Sequence, residues 1–155
     1  MRPLALVVAT WFGCGFVPWA PGTIGSLAGL LIAGLLHAWF GAGRPTLILL
    51  IAALLAPAIW SATQTERAMK QKDPGIVVVD EVLGQWLTLL GATSLGVRTF
   101  VAAFILFRIF DVWKPWPVRR FETLPEGFGI VADDLAAGLY GAIFLYLGGA
   151  LKLLY

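Results

Sequence analysis

Ile76-Val77-Val78-Val79-Asp80-Glu81-Val82-Leu83-Gly84 places two adjacent carboxylates inside an otherwise apolar run. An ionised group in the apolar zone of a bilayer costs roughly 2.5–3.5 kcal/mol even on lenient insertion scales. Neighbouring residues on a helix lie about 100° apart, so Asp80 and Glu81 cannot both face lipid cheaply. The stretch predicts a membrane helix whose acids are kept for a function rather than for packing.

The composition around it points to membrane immersion. Of 155 residues, 59% are hydrophobic and 13% charged, against roughly 45–50% and about 25% in ordinary globular proteins. A soluble fold of this size buries only about two-thirds of its chain surface, too little to hide so much apolar area. The length suits one domain, residues 1–155. A disordered chain and a coiled coil are excluded, and Cys14, the lone cysteine, excludes a disulfide scaffold. A net charge of +2 is too small to imply nucleic-acid binding.

Gly, Pro and charged clusters divide the apolar stretches into candidate helices at 24–40, 46–62, 76–91, 98–112 and 134–151. The predicted fold is all-α, a small integral membrane bundle of about four to five transmembrane helices. Residues 4–19 contain Gly13, Gly15 and Pro18 and suit an interfacial or re-entrant segment; a signal peptide is the other reading. With the N-terminal side called inside, that side receives Arg2, Arg67, Lys70, Lys72, Lys114, Arg119 and Arg120. The other side receives only Arg44, Arg98 and Lys152. Excess basic residues mark cytoplasmic loops, so loops 63–75 and 113–133 are assigned to the cytoplasm, with Trp60, Trp113 and Trp116 as an aromatic belt at that surface. Gly25, Gly29 and Ala33 form a small-residue stripe suited to close helix packing.

In this topology Asp80, Glu81, Asp111, Asp133 and Asp134 all fall at the cytoplasmic ends of their helices. Plain structural readings remain open for several of them. Asp133 can cap the last helix and Asp134 can favour its positive end, and Arg108 with Asp111 can form a helix-surface ion pair. Taken together, carboxylates clustered without Cys or His ligands suit a hard cation such as Mg²⁺. His37 is the only histidine and lies in an apolar helix, which leaves it a packing or interfacial role. Metal-activated water is the chemistry that remains. Ala20-Pro21-Gly22-Thr23-Ile24-Gly25-Ser26 offers a helix start whose N–H groups can meet an anion, with Thr23 as N-cap. Lys114-Pro115-Trp116-Pro117-Val118-Arg119-Arg120 places cations after Asp111 for phosphate or for anionic headgroups.

These motifs resemble the phosphatidylglycerophosphatase A family. The resemblance rests on four stretches in order: Ala20–Ser26, Ile76–Gly84, Phe107–Pro117 and Gly127–Gly138. Two departures are mild: Ile24 stands where the family pattern has an aromatic residue, and Glu126 where it has Gly. The resemblance implies a Mg²⁺-dependent phosphatase in a bacterial inner membrane, multi-pass, with its active site facing the cytoplasm. It would convert phosphatidylglycerophosphate into phosphatidylglycerol and phosphate, taking its phospholipid substrate from the bilayer. Asp80, Glu81, Asp111, Asp133 and Asp134 would be metal ligands, and Asp80, Glu81, Asp111 and Asp134 catalytic. Thr23, Ser26, Arg108, Lys114 and Arg119 would bind substrate. The alternative is a non-enzymatic cation channel or transporter subunit that uses the acids as an ion path. Against that alternative, none of these acids lies near the opposite membrane face.

Overall fold

Residues 2–153 of the chain, described by a computed structural model, are all-helical. The elements are α1 (Pro3–Ala9), α2 (Pro21–Phe40), α3 (Arg44–Met69), α4 (Val79–Leu89), α5 (Val97–Trp113), α6 (Val118–Phe121) and α7 (Glu126–Ala150), with a 3-10 turn at Cys14–Phe16. Three of them, α2, α3 and α7, are long and apolar enough to cross a bilayer. Their outward faces, with that of α5, expose Leu31, Leu49, Ile105 and Leu139, an apolar exterior of the kind acyl chains cover. A small helical membrane bundle is the architecture.

The structure corrects one of the candidate spans. The 76–91 stretch forms only the 11 residues of α4, about 16 Å of helix against a hydrocarbon core of about 30 Å. Instead of crossing, α4 is enclosed, with α2, α3, α5 and α7 all packed on it. Nine of its 11 residues are buried, so its apolar side chains face protein rather than lipid. The 17 residues of α5 reach about 25 Å. Residues 4–19 do not span either. Positive φ at Trp11, Phe12 and Gly13 reverses the chain after α1, and Val78 N–H donates to the Ala9 carbonyl at 2.8 Å.

Helix ends also differ from the hydropathy boundaries. α3 runs to Met69 rather than stopping near 62, because Ser61–Arg67 is polar but still helix-competent. Trp60 therefore lies more than two turns before the end of α3, deeper than the exposed Trp113 and Trp116. α7 begins at Glu126 rather than 134. Gly127 and Gly129 read as loop residues, yet a Cβ at Gly127 would fall 2.3 Å from the Ile59 carbonyl oxygen. That glycine brings the start of α7 against α3 rather than breaking a helix.

Close backbone approach fixes α4 in place. The Gly25–Gly29–Ala33 stripe packs within the chain: a Cβ at Gly25 would sit 2.8 Å from Val78 Cβ, and one at Gly29 would sit 3.3 Å from Val82 Cα. On the other side, a Cβ at Gly138 would fall 2.4 Å from the Gly84 carbonyl oxygen. Thr88 Oγ1 lies 3.0 Å from Gly84 O and 3.2 Å from Gly138 O and shares its proton between them. Trp86 Nε1 donates to Gly29 O at 2.8 Å. Replacing Gly138 by Ala forces backbone against backbone and should cost about 1–3 kcal/mol, read as a lower melting temperature in detergent. Gly34→Ala, where a Cβ meets Phe100 at an ordinary 3.8 Å, should leave it nearly unchanged; equal losses at both positions would count against close packing as the cause.

Candidate active site

α2, α4 and α7 begin at one end of the bundle, where α3 and α5 finish. Asp80 and Glu81 lie in the first turn of α4, and the α7 backbone at Asp134 touches Gly84. One carboxylate oxygen from each of Asp80, Glu81 and Asp134 lies within 4.8 Å of the other two. Asp80 Oδ1, Glu81 Oε2 and Asp134 Oδ2 are buried without a hydrogen-bond partner. Buried polar atoms in folded proteins are nearly always paired, so three orphaned oxygens at one point mark a candidate binding site. An all-oxygen donor set with no Cys or His fits a hard divalent cation.

The other two predicted ligands are engaged elsewhere. Arg108 Nη1 donates to Asp111 Oδ2 at 2.5 Å. Lys114 Nζ donates to Asp133 Oδ2 at 2.5 Å and to Glu122 Oε1 at 2.7 Å. The five acids thus divide into an unpaired trio and two carboxylates held by the chain's own cations. Asp133 and Asp134 are adjacent on α7, so one can meet Lys114 while the other turns to α4. Neither caps α7, which starts seven residues before Asp133. Burial draws the Lys114 ammonium down, but its hydrogen bonds to Asp133 and Glu122, with the charges of Asp133 and Asp134, raise it well above the ordinary lysine range.

The predicted substrate-binding residues separate in the same way. α2 starts at Pro21 with Ala20 as N-cap and no side-chain cap, so Thr23 lies inside the first turn instead of capping it. That turn lies against the site: a Cβ at Gly22 would fall 2.1 Å from Glu81 Oε1 and 3.2 Å from Arg108 Nη1. The free N–H groups of a first helical turn favour anions. Ser26 is fully buried and its Oγ donates inward to Gly22 O at 2.8 Å. Arg119 is exposed on α6 and forms no ion pair with the acids among the described residues. Arg120 stacks 5.4 Å from the Trp116 ring. His37 is at the far end of the bundle, with Nδ1 2.9 Å from Ala42 O.

Several residues here lie outside the predicted site set. Glu122 is one, visible only through its pairing with Lys114 eight residues earlier. A cleft of about 260 Å³ beside Asp133 is lined by Lys72, Asp73, Glu122 and Gly129. Glu126 has φ +52°, a conformation that favours glycine. Its carboxylate is held there by Arg67 through contacts of 2.6 and 2.7 Å.

The bundle and its site define a small polytopic membrane protein with a buried carboxylate centre, flanked by cations and a helix N-terminus, at one end. Compared with known proteins, the chain belongs to the phosphatidylglycerophosphatase A family, whose profile matches residues 7–148. It is 35% identical over 144 residues to the Phosphatidylglycerophosphatase A of Escherichia coli, covering 92% of this chain and 82% of the relative. The Haemophilus influenzae protein of the same name is 37% identical over 147 residues, covering 94% and 88%. A Bacteroides thetaiotaomicron protein named "Putative phosphatidylinositol-3-phosphatase" is 39% identical over 147 residues, covering 92% and 91%. No solved structure matches the chain.

The Lys114 pairing makes a stability prediction. Lys114→Met leaves Asp133 buried without its cation and should destabilise the protein by about 3 kcal/mol. Adding Asp133→Asn to that variant should recover much of the loss in thermal melting. Failure to recover would mean that Lys114 stabilises by packing rather than by pairing.

Proposed function

We propose that this protein is a Mg²⁺-dependent lipid phosphatase that hydrolyses phosphatidylglycerophosphate to phosphatidylglycerol and phosphate at the cytoplasmic face of a bacterial inner membrane. The observation that carries the reading is the buried trio of Asp80, Glu81 and Asp134, each with one buried oxygen that has no hydrogen-bond partner. Family membership and the names of the Escherichia coli and Haemophilus influenzae relatives support the substrate. The excess of Lys and Arg in the loops at the site end supports the cytoplasmic orientation.

Asp80, Glu81 and Asp134 would hold the ion. When bound, Mg²⁺ supplies Lewis acidity to the phosphoryl oxygens and to the attacking water. The chain's own groups do the remaining work. Arg108, held by Asp111 beside Gly22, balances negative charge that builds on the phosphoryl group. The first turn of α2 at Gly22 and Thr23 adds N–H donors from the same side. Asp111 keeps Oδ1 clear of Arg108, which binds Oδ2, and this oxygen accepts the proton of the attacking water. The water oxygen bonds to phosphorus, the phosphorus–oxygen bond to glycerol breaks, and the leaving alkoxide takes the proton that Asp111 accepted from the water. Lys114 fixes Asp133 and the 122 turn, which keeps the α5–α7 wall of the site in place. The acyl chains stay in lipid beside the apolar exterior, so the substrate need not leave the bilayer.

An ion path is not favoured by the packing. In the far half of the bundle Leu47, Leu89 and Leu145 form apolar core, and a conducting route needs polar groups along its length. The deciding experiment is phosphate release by purified protein in detergent micelles from phosphatidylglycerophosphate, phosphatidic acid and phosphatidylinositol 3-phosphate, each with Mg²⁺ or EDTA. The expected result is release from the first lipid alone, lost in EDTA, with Asp80→Asn lowering kcat by about 100-fold or more at unchanged folding. Release from phosphatidylinositol 3-phosphate instead would transfer the substrate to the class named for the Bacteroides relative. Full turnover in EDTA would overturn the metal reading.

A further inference from the structure

Among the described residues, buried side-chain atoms without a hydrogen-bond partner belong to four residues: the trio and Gln85. Gln85 is fully buried, and both its Nε2 and its Oε1 are unpaired. A primary amide has two donors and an acceptor with two lone pairs, so leaving all of them unmet in an apolar interior is costly. The other polar side chain deeper on the same helix, Thr88, is spent on backbone carbonyls. No such use is made of Gln85.

Its position says what the amide is for. Residues four apart share a helix face, and side chains tilt toward the helix N-terminus. Gln85 therefore lies one turn beneath Glu81 on the same side of α4, and Glu81 Oε2 is itself unpaired. Across the interface, Gly22 abuts Glu81, and Ser26, one turn further along α2, is closed off by its own bond to Gly22. The neighbouring helix thus leaves Glu81 to be steadied from below.

We propose that Gln85 is a positioning residue of the cation site: in the loaded state its Nε2–H donates to Glu81 Oε2 and holds that carboxylate in place. Hydrogen bonds of this kind orient a ligating carboxylate and set the affinity of the site. The unpaired amide is then the cost of a site built for its ligand. The inference rests on the trio holding a divalent cation, and it assigns the affinity of that site to a residue outside the carboxylates.

Binding of Mn²⁺, followed by electron paramagnetic resonance in detergent with Mg²⁺ as competitor, tests it on wild type, Gln85→Met and Thr88→Val. Gln85→Met keeps the volume and removes the amide. It should weaken Mn²⁺ binding roughly 10-fold or more while leaving the metal-free melting temperature equal or higher. Its phosphatase activity should return when Mg²⁺ is raised by the same factor, with kcat little changed. Thr88→Val should do the reverse, lowering metal-free melting while leaving Mn²⁺ affinity intact. Wild-type affinity in Gln85→Met, with or without lower melting, would overturn the positioning role and leave the cation reading standing. No Mn²⁺ binding by the wild type would overturn the cation reading and this inference together.

Discussion

The backbone contact between Gly84 of α4 and Gly138 of α7 holds the two helices that carry the unpaired acids. With the Gly138 Cβ position only 2.4 Å from the Gly84 carbonyl oxygen, no side chain can separate them there. Asp80 and Glu81 lie within one turn of Gly84, and Asp134 lies one turn before Gly138. A contact at this distance fixes the height of all three carboxylates relative to one another. Gly25 and Gly29 clamp the opposite face of α4, so the short helix cannot tilt away from the charge it carries. Packing by small residues is what allows a membrane bundle to bring backbones this close, and here it serves to assemble a site.

Electrostatics then sorts the acids into two kinds. Asp111 and Asp133 meet Arg108 and Lys114 at 2.5 Å, so each has a basic partner within the chain. The trio has no such partner, although desolvated carboxylates gathered at one point repel each other strongly in a low dielectric. The three lie at the same end of the bundle as two basic side chains and a helix N-terminus. Lys114 also ties Glu122 to this wall, so the turn between α5 and α7 is set by the same charges.

Much of this arrangement is legible in the amino-acid sequence. Apolar runs locate α2, α3 and α5 to within a few residues in most cases, because lipid-facing helices announce themselves by composition. The convergence of Asp80, Glu81, Asp111, Asp133 and Asp134 on one end follows from topology alone. Hydropathy misjudges α4, since a helix enclosed by four others is as apolar as one facing lipid. It also places the start of α7 late, because Gly127 and Gly129 look like a loop when their task is contact with neighbouring backbone. The division of five acids into three and two depends on where Arg108 and Lys114 reach, which spacing alone does not fix. Gln85 stands in the sequence as a polar residue four places after Glu81, but only the lack of any partner in the packed bundle makes it conspicuous.

If Asp80, Glu81 and Asp134 form a divalent-cation centre while Asp111 and Asp133 do not ligate, anomalous diffraction from crystals grown with Mn²⁺ tests it most directly. The expected result is a peak roughly 2–2.3 Å from oxygens of all three trio residues, with Arg108–Asp111 and Lys114–Asp133 still paired. A peak held instead by Asp111 or Asp133, or no peak near α4 in protein that still hydrolyses lipid phosphate, would contradict it.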